Sequence, residues 1–180
     1  MNNQSAEQLK EQGLQLFHQG KHADALAAFE SAAAVYAKQG DVNGRAEILN
    51  NIGVIHRVKG NQTEAVVALT EAAEIFAETG DVNRQAQTLG NLADLYAGNG
   101  RQAEAARYYG EAAAHFAQIN AHDKQSQILR TYSLMRLRQG QWLEAMMRME
   151  ESLAVRPHLG PFRWLFRGML RFVLSLLGAK

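Results

Sequence analysis

Apolar and small residues recur along this chain on two scales. Within short stretches they return every three or four positions, the period of one face of an α-helix. From Arg45 to Lys59 that face is Leu49, Ile52, Ile55 and His56; from Glu64 to Thr79 it is Ala65, Leu69, Ala72 and Phe76. Gly60 ends the first stretch, because glycine adopts the left-handed conformation at little cost, and Asn61, Gln62 and Thr63 form the turn. Gly80 ends the second, and Asp81 or Asn83 offers a side-chain oxygen to cap the next helix.

The longer scale is a repeat of 40 residues. Gly20, Gly60, Gly100 and Gly140 share one column, Leu9, Leu49, Leu89 and Leu129 another, and Ala25, Ala65, Ala105 and Ala145 a third. The column before those alanines is acidic throughout: Asp24, Glu64, Glu104 and Glu144. A second turn recurs as Gly40-Asp41-Val42-Asn43 and Gly80-Asp81-Val82-Asn83, with Asn120 in the third copy. One helical hairpin cannot bury both its faces, so the copies must stack. The pattern predicts an all-α protein, an α-α superhelix of four hairpins at about 4–40, 43–80, 83–120 and 123–157. The repeats fill residues 1–157, and an amphipathic helix follows within 158–180.

Each copy also pairs a large residue with a small one four positions on: Leu9/Gly13, Leu49/Gly53, Leu89/Ala93 and Leu129/Ser133. Four residues after the shared alanine comes Phe29, Leu69, Tyr109 or Met149, and three further on Ala32, Ala72, Ala112 or Ser152. Small residues let the two helices of a hairpin approach, and large ones fill the gap between hairpins. This pattern resembles the tetratricopeptide repeat over about 155 of the 180 residues. That family usually repeats every ~34 residues and carries a proline near the end of its second helix. Here that column holds Ala37, Ala77 and Ala117, and only then Pro157. Without proline the second helix runs about one turn longer, which accounts for the longer period. Forty-residue copies are similar to those of kinesin light chains and bacterial peptide receptors, and Leu89-Gly90-Asn91-Leu92-Ala93 is particularly like that subtype. The resemblance implies a protein–protein interaction scaffold or adaptor, not an enzyme, with no cofactor.

Composition narrows the chemistry. The absence of cysteine excludes disulfides, Cys-ligated zinc, Fe–S clusters and thiol catalysis. No catalytic constellation stands out. His18 and His22 are four apart, but Gly20 breaks the helix between them, so metal binding is not expected. Ser126, Ser133 and Ser152 fall in helix columns and read as packing. The net charge of +1 is uneven: residues 1–156 carry all 18 acids and a net −3, and residues 157–180 carry +4 with no acid. An acidic body speaks against nucleic acid as a partner. The polar start, Met1 to Glu7, lacks the apolar core of an export signal, so a cytoplasmic location is expected.

In a solenoid of this kind the first helix of each hairpin lines the concave face. Its polar columns hold Lys10, Asn50, Gly90 and Arg130; Glu11, Asn51, Asn91 and Thr131; and Glu7, Glu47, Gln87 and Gln127. Lower columns hold Leu14, Val54, Asp94 and Leu134, then Phe17, Arg57, Ala97 and Leu137. Side-chain amides donate to and accept from a peptide backbone at once. Asn50, Asn51, Arg57, Gln87, Asn91, Asp94, Gln127, Arg130 and Thr131 are therefore the candidate groove residues; the alternative is solvated helix faces. Of the five positions of the family's clamp for chaperone carboxylates, Lys10 and Asn51 match, whereas Leu14, Gln87 and Asn91 do not. This departure implies an extended or helical segment of mixed character as ligand.

The final segment is a second feature of the chain. Pro161 starts a helix in which Arg163, Arg167, Arg171 and Ser175 share one side. Phe162, Leu165, Phe166, Met169, Leu170, Phe172, Val173, Leu176 and Leu177 fill the opposite arc, and Trp164 and Leu174 intrude on the polar side. Arg163, Trp164, Phe166, Arg167, Leu170 and Arg171 are the candidate docking residues. One reading is a cap, its apolar arc covering Leu143, Met146, Met147 and Leu153 with the arginines facing water, and shared across a homodimer in one variant. Another is attachment to a membrane surface or an assembling complex, giving a peripheral membrane location. In a third, the tail competes for its own groove.

Overall fold

The computed structural model describes residues 5–156 and 160–178. Among them are nine α-helices and no strand. Four antiparallel hairpins follow one another: α1 (Ala6–His18) with α2 (His22–Gln39), α3 (Val42–Lys59) with α4 (Gln62–Glu78), α5 (Val82–Gly98) with α6 (Gln102–Gln118), and α7 (His122–Arg138) with α8 (Trp142–Ala154). Each packs on the next to form a solenoid, and α9 (Pro161–Leu176) packs against α8.

Local chemistry sets the helix ends. Ser5 opens α1 with a capping box: its Oγ accepts from the Gln8 amide at 3.2 Å, and its own amide donates to Gln8 Oε1 at 2.9 Å. Asp41 and Asp81 cap α3 and α5 by accepting from the amides of Gly44 and Arg84. Gly20, Gly40, Gly60, Gly80, Gly100 and Gly140 lie at φ between 71° and 80°, and Asn120 takes the same role at 55°. After each, the next amide reaches back to a carbonyl five residues earlier, as from Asn61 to His56 at 2.9 Å.

This closure is tighter than the sequence predicts. Only Gly60 and Asn61 separate α3 from α4, so Gln62 and Thr63 are helical. Because Asp41 caps at once, α3 starts at Val42 rather than Arg45. Asn83 lies inside α5 and caps nothing; its Oδ1 instead accepts from Gln87 at 2.7 Å and from Lys124 at 2.8 Å.

The second helices α2, α4 and α6 run 17 or 18 residues, whereas α8, ahead of Pro157, runs 13. The helix therefore stops one turn early where the proline is present. Ala25, Ala65, Ala105 and Ala145 are buried where the helices of each hairpin cross. A Cβ on Gly13 would lie 2.6 Å from the Phe29 ring, and one on Gly53 2.6 Å from Leu69 Cγ. In the last hairpin Ser133 fills that column and donates to the Ala145 carbonyl at 2.7 Å. The Ser126 and Ser152 hydroxyls meet at 3.0 Å in the core. Ile48, beside the face read from the sequence, is fully buried.

The expected cap differs from the observed one. In α9 only Leu170 and Leu174 are buried, and Arg167 Nε donates to Glu150 Oε1 of α8 at 2.9 Å. Leu143 stays exposed. Most of the apolar arc of α9 is thus left uncovered; the helix is seated by one edge of that arc, Leu170, together with Leu174 and Arg167 of the side read as polar.

Candidate functional site

The first helices of successive hairpins lie side by side, and their shared face carries three adjoining concavities. The upper one, between α3 and α5, is lined by Glu47, Asn50, Asn51, Arg84 and Gln87. A middle one, between α5 and α7, adds Gly90, Asn91, Asp94, Lys124, Gln127, Ile128 and Thr131. The lower one is lined by Arg57, Asp94, Ala97, Gln102, Thr131, Leu134, Met135, Arg138 and Gln139. Gly90 belongs here for a steric reason: a Cβ would sit 3.0 Å from Ile128 Cδ1 of the neighbouring hairpin.

Eight of the nine groove candidates therefore meet on one continuous surface: Asn50, Asn51, Arg57, Gln87, Asn91, Asp94, Gln127 and Thr131. Arg130 is exposed and lines none of the three. Several of these groups are already engaged. Asn91 Nδ2 donates to Asn50 Oδ1 at 2.8 Å, tying α5 to α3. The Thr131 hydroxyl donates to the Gln127 carbonyl of its own helix. Asp94 accepts a short hydrogen bond from the Tyr109 hydroxyl. Burial, and then this bond to Asp94, pushes the Tyr109 phenol far above its ordinary pKa.

The upper rim is saturated with internal ion pairs. Lys10 Nζ lies 2.8 Å from Glu7 and 3.3 Å from Glu47, and Arg84 reaches the other Glu47 oxygen at 3.4 Å. Burial works against the Lys10 ammonium, but the two carboxylates outweigh it and hold its pKa above the usual lysine value. Bonds from Lys10 and then Tyr36 hold the Glu7 carboxyl below its usual value. Lys10, one of the two clamp-like positions, is thus committed inside the molecule.

The lower concavity has a different character. Arg57 and Arg138 make no ion pair among the described residues, and Arg57 Nε is buried with no acceptor among them. Ala97, Leu134 and Met135 provide an apolar floor beside these cations. Arg138, Gln102 and Gln139 were not among the sequence candidates. Arg138 stands one column past Leu137, the last one considered, so extending the columns by one residue finds it. Among the described residues no group of three or more His, Cys, Asp or Glu side chains is placed to hold a metal ion. The placement of the tail residues is clear: Leu170 is buried, Arg167 is paired with Glu150, and Arg163, Trp164, Phe166 and Arg171 are exposed.

Comparison with known proteins agrees with this architecture. Two solved structures superpose on the chain with low identity and so report on the fold. BtubC (BKLC) from P. vanneervenii matches with a TM-score of 0.74 at 18% identity, over 89% of this chain and 70% of that one. A protein assigned as a kinesin light chain with nearly identical repeats, from Podosopora anserina, matches with a TM-score of 0.71 at 20% identity, over 96% of this chain and 86% of that one. No curated protein matches the sequence. The profile of the tetratricopeptide repeat matches residues 5–78 and again 44–118. Repeats of this kind generally mediate protein–protein interactions. With stacked hairpins, crossing alanines and this match over more than half its length, the chain belongs to the tetratricopeptide repeat family.

Proposed function

We propose that the chain is a non-enzymatic scaffold that holds a segment of a partner protein along the concave face of α3, α5 and α7. The observation that carries this reading is the lower concavity. There the Arg57 and Arg138 guanidiniums, in no ion pair among the described residues and beside a single acid, Asp94, that is bonded to Tyr109, flank an apolar floor. A segment that places a carboxylate or backbone carbonyls against the arginines and an apolar side chain on Leu134 and Met135 meets both demands. Above it, the Asn50–Asn91 pair, Asn51 and Gln87 supply amides along the path of an extended backbone.

The test begins with affinity capture of the full chain's partner from its native cell, followed by calorimetric titration of that partner. Arg57→Ala and Arg138→Ala should each weaken binding by about 1.5–3 kcal/mol, the worth of a hydrogen bond to a charged group. The melting temperature should stay close to that of the parent. Unchanged affinity in both variants would place the partner elsewhere on the solenoid.

A further inference from the structure

The last helix is seated with its hydrophobic side outward. Its contacts with α8 come from Leu170, Leu174 and Arg167, which share one side of the helix. At about 100° per residue, the opposite side carries Phe162, Leu165, Met169, Phe172 and Leu176. These five are exposed by 53–83%. Large apolar side chains gathered on one face mark a surface that something else covers.

Charge says what kind of surface that is. No acid occurs after Glu151, so α9 carries Arg163, Arg167 and Arg171 unopposed within its own length. On the helical wheel Arg167 stands at the back of the apolar face, where Glu150 anchors it. Arg163 and Arg171 stand about 40° to either side of Arg167 on that polar side, exposed and without an ion pair among the described residues. Trp164, also exposed, lies on the Arg171 side. In an amphipathic helix lying in an interface, long arginines on the polar side reach phosphates while the apolar face sinks among acyl chains. The repeats meet α9 through α8, on the side away from the five exposed apolar side chains. No helix among the described residues is long and apolar enough to cross a membrane, so contact of this kind is lateral.

We propose that the outward face of α9 lies on an anionic phospholipid surface, with Phe162, Leu165, Met169, Phe172 and Leu176 in the acyl region and Arg163 and Arg171 at the headgroups. A second copy is the weaker occupant. The five residues follow a three–four spacing, but they span barely two heptads, where a self-sustaining coiled coil needs three or four. The flanks that would pair across such a seam carry Gly168 and Ser175 on one side and apolar side chains on the other, with no acid to meet an arginine.

The test is flotation of the full chain with vesicles of one part phosphatidylglycerol to two parts phosphatidylcholine, against phosphatidylcholine alone. The chain should float with the anionic vesicles, and binding should fall steeply with added salt. Leu165→Glu with Phe172→Glu should abolish flotation while leaving the circular dichroism spectrum intact, since both side chains are already exposed. Arg163→Ala with Arg171→Ala should weaken anionic binding roughly fivefold per arginine. Failure of the parent chain to float with anionic vesicles overturns the proposal. If sedimentation equilibrium then shows a dimer that Phe172→Glu dissociates, the second copy is the occupant. Flotation that survives both double variants overturns it equally. None of these readouts depends on the concave groove.

Discussion

Gly53 shows how much one methyl group weighs in this packing. A Cβ there would lie 2.6 Å from Leu69 Cγ and 3.3 Å from the Leu69 backbone nitrogen, which cannot move aside cheaply. Gly110, inside α6 and exposed, has nothing within 4 Å of the same position. Gly53→Ala should therefore destabilise by about 1–3 kcal/mol through overpacking, despite alanine's better helix propensity. Gly110→Ala should stabilise by about 0.5–1 kcal/mol. Urea unfolding of both variants checks the opposite signs, and two shifts in the same direction would refute this account of the crossing. The difference is legible in the sequence once the copies are aligned. Gly53 shares its column with Gly13, Ala93 and Ser133, all small, whereas Gly110 shares its own with Glu30, Thr70 and Glu150. The engagement of Asp94 by Tyr109 is not legible there, because it needs the facing helix in place.

Pairs of helices carry the next level of organisation, and the hairpin of α5 and α6 is clamped by that bond between Asp94 and Tyr109. The folded state holds the Tyr109 proton, its pKa raised first by burial and then by Asp94. The unfolded chain releases that proton near the ordinary tyrosine value of about 10. Stability from this group is therefore complete below about pH 10 and declines as the pH rises further, where the unfolded state ionises first. Thermal melts from neutral pH to beyond that value should show the decline, and Tyr109→Phe should reduce it. The glycine and proline positions mark the hairpin ends in the sequence, and the left-handed glycines and the short α8 agree with them. The turns are shorter than the polar run Asn61-Gln62-Thr63 implies, because the backbone closes the helix within two residues.

Across the whole molecule, polar links tie each hairpin to the next. Glu47 bridges Lys10 of the first hairpin and Arg84 of the third, and Asn83 of the third accepts from Lys124 of the fourth. In a solenoid each repeat touches only its neighbours, so such links add to the interface terms that make unfolding cooperative. These side chains are partly exposed, and their worth is correspondingly small. Glu47→Gln should lower stability by no more than about 1 kcal/mol, and the loss should shrink as salt is raised. Denaturation at low and high ionic strength checks this; a loss insensitive to salt would mean that Glu47 acts through packing.

The helices, their glycine stops and the 40-residue repeat are all legible in the sequence. Those features rest on local causes: hydrogen bonds within a turn, the left-handed freedom of glycine, the missing amide of proline. The sequence also puts eight of the nine groove candidates on one face, because a repeat superposes equivalent columns once the hairpins stack. Only the packing of the hairpins settles that Asn91 meets Asn50, that Lys10 is taken up by Glu7 and Glu47, and that Arg57 and Arg138 form no ion pair among the described residues. Packing against α8 likewise settles which side of α9 turns inward. Amphipathicity measures how much apolar surface a helix carries, but what covers that surface depends on the neighbour. Here α8 offers Glu150 to Arg167 and room for Leu170 and Leu174, so the richer apolar side is left facing out.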